Sequence, residues 1–171
     1  MPQLQANDVR YFYKFSSEPI SGQMNKIAFE GDTSLTSSAN VQSTETKDGT
    51  IKGIGAPNQQ ISVVFPCMVG DDAYAGLKKA HLKREIIHVW RVELGNKNED
   101  GSYPAMYFQA YVPTFSPTEA VGQGVTLTEQ LEVNGVGKDG TLAEADIPTG
   151  AFDGDYTFAK PTEAGTDTEQ G

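Results

Sequence analysis

Apolar residues in this chain recur mostly at every second position. Residues 60–67 place Ile61, Val63, Phe65 and Cys67 on one side and Gln60, Ser62, Val64 and Pro66 on the other. A period of two predicts a strand with one buried face. Residues 125–134 alternate in the same way. Val125, Leu127, Leu131 and Val133 fall inward, and Thr126, Thr128, Gln130, Glu132 and Asn134 outward. Residues 84–94 split into Ile86, Trp90, Val92 and Leu94 against Ile87, Val89 and Arg91. Both sets are partly apolar, which predicts a strand covered on both faces. Residues 103–115 read as a long strand that ends near Pro113 and Pro117.

The first part of the chain is less regular. Residues 9–15 are aromatic and suit a strand. Residues 24–30 read as a second, short strand stopped by Gly31-Asp32. Residues 33–40, Thr-Ser-Leu-Thr-Ser-Ser-Ala-Asn, read as a polar loop. Residues 41–46 can be extended, and Lys47-Asp48-Gly49-Thr50 is a hairpin signal, since Asp-Gly suits the positive φ angles of a type I′ turn. A single helix is predicted over residues 71–82. Asp71 or Asp72 can cap its free amides, and Lys78, Lys79 and His81 complement its C-terminal dipole. Tyr74, Leu77 and His81 or Leu82 form its apolar stripe. The fold class is therefore mainly β, antiparallel, with one flanking helix.

With 171 residues and 37% hydrophobic content, the chain can form one domain with a modest core. Residues 1–142 are expected to form that domain. Residues 143–171 are expected to form an acidic C-terminal extension whose last part is disordered. The net charge of −10 argues against a surface that holds nucleic acid, because phosphates need a basic patch. The sole cysteine, Cys67, reads as a buried thiol in an apolar strand. The first eight residues carry no basic, apolar leader, and no run approaches the length of a membrane helix. Synthesis in the cytoplasm is the expectation.

Catalytic and binding motifs are weak. Gly135-Val136-Gly137-Lys138-Asp139-Gly140 matches G-x-G-x-x-G, but Pro148 follows too soon for a dinucleotide-binding helix, so a glycine-rich strand exit is the better reading. Asn96-Lys97-Asn98-Glu99-Asp100-Gly101 resembles the start of a calcium loop, yet Tyr107 stands where the bidentate Glu belongs, and a turn fits better. Asp153-Gly154-Asp155 offers only two carboxylates. His81 and His88 lack the paired spacing of a zinc site. No metal, cofactor or catalytic residue is expected. Trp90, Tyr107, Phe108 and Tyr111 read as core and subunit-interface aromatics rather than base-stacking residues.

Several of these segments, taken in order, resemble a known family. They are Thr44-Glu45-Thr46-Lys47-Asp48-Gly49-Thr50, the strand and helix after it, Ile86-Ile87-His88-Val89-Trp90, Tyr103-Pro104-Ala105-Met106-Tyr107-Phe108-Gln109-Ala110-Tyr111, and Leu131-Glu132-Val133-Asn134-Gly135-Val136-Gly137. Over residues 9–142 they resemble the major tail proteins, or tail tube proteins, of bacteriophages with long non-contractile tails. The resemblance implies a β-sandwich or half-barrel subunit that joins sheet to sheet in hexameric rings. The rings stack into a tube, the conduit for viral DNA, which passes without specific binding. It also implies a virion protein, made in the host cytoplasm, whose partners are itself, a tape-measure protein, and tail terminator and baseplate proteins, with no membrane.

Within that frame, Glu45, Thr46, Lys47, Asp48, Gly49 and Thr50 are the candidate subunit-interface loop, and Thr128, Gln130 and Glu132 are candidate lumen-facing residues. A solvated hairpin and an ordinary outer face are the alternatives. Two other function classes compete: a carbohydrate- or receptor-binding β-sandwich module, and a small hydrolase using Cys67 or a histidine.

Overall fold

The computed structural model describes residues 2–15, 31–70 and 72–147, and the backbone of residues 25–26. The elements are β1 (Val9–Lys14), β2 (Asn25–Lys26), β3 (Thr33–Ser38), β4 (Val41–Thr46), β5 (Gly49–Ile54), β6 (Asn58–Pro66), α1 (Asp72–Lys83), β7 (Ile86–Glu93), β8 (Tyr103–Tyr111), β9 (Ser116–Thr118), β10 (Thr126–Val133) and β11 (Lys138–Leu142). Most of them form one nine-stranded sheet in the order β2-β1-β7-β8-β10-β6-β3, with β11 on β8 and β9 on β10. All pairings are antiparallel. The sheet curls so far that β1 and β3 face each other across a cleft of about 440 Å³, lined by Val9, Arg10 and Tyr11 from one and Thr33, Ser34 and Leu35 from the other.

The inner face of this curl holds the main core. Tyr11 and Tyr13, Ile61, Val63 and Phe65, Ile87 and Val89, Phe108 and Ala110, and Leu127 and Leu131 meet there. Helix α1 lies on the same face through Ala73, Leu77 and Ala80. Burying each of these larger side chains contributes about 1.5–3 kcal/mol relative to exposure. The stripe expected at Leu77 is present, but Leu82 is 67% exposed and Ala80 takes the buried position. The helix ends where Arg84 adopts φ 58° and the Glu85 N–H reaches back to the Ala80 carbonyl at 3.0 Å. That is a Schellman stop with arginine in the place glycine usually holds.

A second, smaller core covers the other face near β1, β7 and β8. Phe12, Val92 and Tyr103 pack there with Ile147, which is 2% exposed, and with Trp90 and Leu142 beside them. Packing therefore continues past β11 into the 3-10 turn Glu144–Asp146 and Ile147.

Three local findings differ from the sequence expectation. Residues 33–38, expected as a polar loop, are an edge strand in register with β6 from Thr33↔Val63 to Ser38↔Asn58. Backbone hydrogen bonds place them there, and only Thr33 and Leu35 are even half-buried. The hairpin turn is also shifted by one residue. Thr46 pairs with Gly49, so Lys47 and Asp48 span the turn, and neither has positive φ. Gly49 alone takes φ 133°, so this is not a type I′ turn. Finally, β9 and β11 are short strands in stretches read as irregular. Most of the short strand expected over residues 24–30, Asp71 of the helix cap and the Asp153–Asp155 pair lie outside the described residues.

Candidate subunit interfaces and lumen face

The hairpin β4–β5 stands apart from the main sheet as a separate two-stranded ribbon. Every residue of both strands is exposed. Val41, Ile51 and Ile54 are 61%, 62% and 74% exposed, so the ribbon carries apolar side chains that the described residues leave largely uncovered. Alternation puts Val41, Glu45, Lys52 and Ile54 on one face and Thr44, Thr46 and Ile51 on the other. The Thr46 hydroxyl donates to the Gly49 carbonyl at 2.7 Å and accepts the Asp48 N–H at 3.3 Å, which stiffens the tip. All of Glu45, Thr46, Lys47, Asp48, Gly49 and Thr50 lie at this tip.

The outer face of β10, β6 and β3 is polar. Thr126, Thr128, Gln130 and Glu132 share it with Asn58, Gln60, Ser62 and Val64 of β6 and with Ser34, Thr36 and Ser38 of β3. Glu132 is the one charged side chain in this set, and there is no lysine or arginine. The Gln60 amide donates to Glu132 at 2.7 Å, and the Gln130 amide donates to Gln60 at 2.5 Å. Thr128 and Gln130 are exposed, and Glu132 is half-buried.

Glu129 was absent from both sets of the alternation, because a carboxylate does not read as a core residue. It points inward between Leu127 and Leu131 and is 1% exposed. The Ser116 N–H donates to it at 2.9 Å and the Thr114 hydroxyl at 3.4 Å. Burial raises its pKa above the usual carboxylate value, opposed by those two hydrogen bonds and by nearby His81. Its role is to hold residues 114–116 against β10, where the Phe115 ring meets Tyr74 of α1 edge-on at 5.4 Å. Gln59 works similarly. It is 4% exposed, donates to Ser37 at 3.4 Å and accepts the Gly137 N–H at 2.7 Å.

The remaining motifs resolve into structure. In the G-x-G-x-x-G run, Gly135 has φ 80° and a Cβ on Gly137 would run into the Phe108 ring. Strand β11 follows, not a helix. The Asp100 carboxylate is engaged by the Ser102 hydroxyl at 2.6 Å and the Ser102 N–H at 3.0 Å, which lowers its pKa and makes the segment a turn. His81 bonds the Val112 carbonyl through Nδ1 at 2.8 Å. His88 stacks on Tyr107 with ring centroids 5.8 Å apart, and Trp90 lies 5.2 Å from the same tyrosine. Burial, then Lys14 beside it, lowers the His88 pKa. Cys67 lies near the start of α1 and His81 near its end, so the two are not brought together. Phe108 is core, whereas Tyr111 is 43% exposed.

A curled antiparallel sheet with one helix, a bare hairpin and a polar sheet face matches known proteins. A family model described as phage tail tube protein matches residues 6–139. The chain belongs to that family. It is 26% identical to the tail tube protein gp17.1* of Bacillus phage SPP1 over 166 residues, covering 94% of this chain and 62% of that one. The chain thus spans less than two thirds of the length of this relative. Among solved structures, the SPP1 tail tube superposes with a TM-score of 0.73 at 22% identity, covering 93% of this chain and 92% of that one. The tail of an empty gene transfer agent particle, refined with C6 symmetry, follows at 0.61 and 11% identity, covering 78% and 96%. The anti-feeding prophage baseplate, six-fold symmetrised, gives 0.56 at 13% identity, covering 84% and 97%. These likenesses show that the fold is the tail tube fold.

Proposed function

We propose that this chain is the repeating subunit of a phage tail tube, closing into hexameric rings that stack around a channel for DNA. The observation that carries the reading is the β4–β5 hairpin, which forms a sheet of its own and exposes Val41, Ile51 and Ile54. A two-stranded ribbon is marginal alone, so this one gains its stability from a neighbouring copy. The tip from Glu45 to Thr50 is then a subunit contact. Edge strand β3 is a lateral joint, since it presents backbone groups that ring closure pairs.

The polar face bearing Thr128, Gln130 and Glu132 is assigned to the lumen. It lacks cations, so phosphates find no partner there and DNA slides without sticking. Function lies in assembly, with no catalysis and no cofactor. The further partners are a tape-measure protein in the lumen and terminator and baseplate proteins at the tube ends. The protein resides in the virion tail after synthesis in the bacterial cytoplasm.

Sedimentation velocity across a concentration series tests this. Species at multiples of six chains, growing with concentration, are the expected result. A homogeneous monomer at every concentration contradicts it and favours a carbohydrate- or receptor-binding module.

A further inference from the structure

Asn134 and Gly135 come directly after β10. Asn134 continues the outward series Thr128, Gln130 and Glu132, and both residues of the pair are exposed. The Asn134 N–H donates to the Gln109 carbonyl at 2.7 Å, which anchors the main chain at this bend. Gly135 then turns the chain with φ 80°. A side chain on Gly135 would meet nothing within 4 Å, so the space around the bend is open. Neither the Asn134 side-chain amide nor the Gly135 N–H has a hydrogen-bond partner among the described residues.

This is the one Asn-Gly step in the sequence. Asn7, Asn40, Asn58, Asn96 and Asn98 are followed by Asp, Val, Gln, Lys and Glu, whose side chains crowd the next backbone nitrogen. Two of those amides are also engaged. Asn96 donates to Glu93 at 3.2 Å, and Asn98 to the Ser102 hydroxyl at 3.0 Å. Glycine brings no side chain and the widest backbone freedom to the same position. Asparagine amides are labile, so the one left free beside a glycine is the one that reacts.

We infer that Asn134 is a modification site, where the Gly135 backbone nitrogen displaces the side-chain amide and a carboxylate results beside Glu132. The Gly135 nitrogen gives its proton to hydroxide and bonds to Asn134 Cγ. The Cγ–Nδ2 bond breaks, and Nδ2 departs as ammonia with a proton from water. The product is a cyclic imide, which water opens at either carbonyl. Opening at Cγ gives aspartate. Opening at the main-chain carbonyl gives isoaspartate, whose main chain runs through Cγ. In total a water enters and an ammonia leaves, and nothing is oxidised or reduced.

Conversion adds one negative charge to the chain's −10. Across β10, β6 and β3 the outer face has Glu132 as its carboxylate and no lysine or arginine, so this face gains a second carboxylate at its margin. The chemistry stands apart from the tail tube reading, and only the placement of the new charge on a channel wall rests on it. The isoaspartyl form also lengthens the main chain ahead of Gly137, whose N–H is held by Gln59 at 2.7 Å.

The test incubates the unmodified full chain in mildly alkaline buffer, folded in one sample and in urea in another. Peptide mapping by mass spectrometry follows each asparagine, and an isoaspartyl methyltransferase assay counts isoaspartate. The folded chain should lose the Asn134 amide progressively, faster as hydroxide rises, with isoaspartate among the products and Asn96 and Asn98 intact. Asn134→Gln should remove the reaction, because the longer side chain closes its ring far more slowly. Loss in urea but not in the folded chain overturns the inference, since the fold then shields the bend. Equal loss at Asn96 or Asn98, amide loss without isoaspartate, or an Asn134 amide intact in both samples overturns it too. Electron microscopy of the folded sample reports on assembly separately, so a deamidating monomer contradicts the tail tube reading alone.

Discussion

At the scale of single residues, Glu129 is the most consequential side chain that alternation did not reveal. Its charge hides it among polar positions, yet register places it inward with Leu127 and Leu131. Because its folded pKa is raised, the folded state holds the proton more tightly than the unfolded one. Stability from this group is therefore full below the unfolded value near 4.5 and falls as pH rises through the raised folded value. Glu129→Gln keeps an acceptor for the Ser116 N–H and should flatten that part of the pH profile in urea unfolding of the dissociated subunit. Glu129→Ala leaves the amide unpaired and should cost about 1–3 kcal/mol. An unchanged pH profile in Glu129→Gln would refute the role given to the carboxylate. Gly137 is the second such position. Gly137→Ala forces the Phe108 ring to move and should cost about 1–3 kcal/mol by the same assay.

At the scale of elements, strands with one buried face were legible because their period is two. Strand β6 shows Ile61, Val63 and Phe65 fully buried where the alternation placed them, and β10 does the same for Leu127 and Leu131. Strand β3 was not legible. Its Thr-Ser-Leu-Thr-Ser-Ser sequence buries almost nothing, so an edge strand defined only by backbone pairing looks like a loop. The short strands β9 and β11 fail for related reasons, one containing Pro117 and the other Gly140. The hairpin was legible as a turn but not as an independent ribbon, since exposure is not written in local pattern. Replacing residues 43–52 with a short Gly-Ser turn should leave subunit stability within about 0.5 kcal/mol, because every one of those residues is exposed. The same change should abolish tubes in electron micrographs.

At the scale of the whole molecule, the −10 net charge argues against a surface that holds nucleic acid, but it does not say which face would line a channel. Among the described residues of β10, β6 and β3, the structure adds a polar sheet face with one carboxylate and no cation. The candidate lumen residues follow from family resemblance together with alternation, since a face of the sheet is readable in the sequence and its place in an assembly is not. In tubes carrying Cys67→Ser and Thr128→Cys, a small maleimide should label the new thiol and a large polymer-linked maleimide should not. Equal labelling by both would place Thr128 on the outside.

The central claim is that this curled sheet is one segment of a closed, stacked tube. Cryo-electron microscopy of the assembled protein tests it most directly. The account predicts hollow tubes of uniform width with six subunits per ring, β3 at a lateral joint, and Thr128, Gln130 and Glu132 on the channel wall. A solution of dispersed monomers, or tubes whose channel is lined by another face of the sheet, would contradict it.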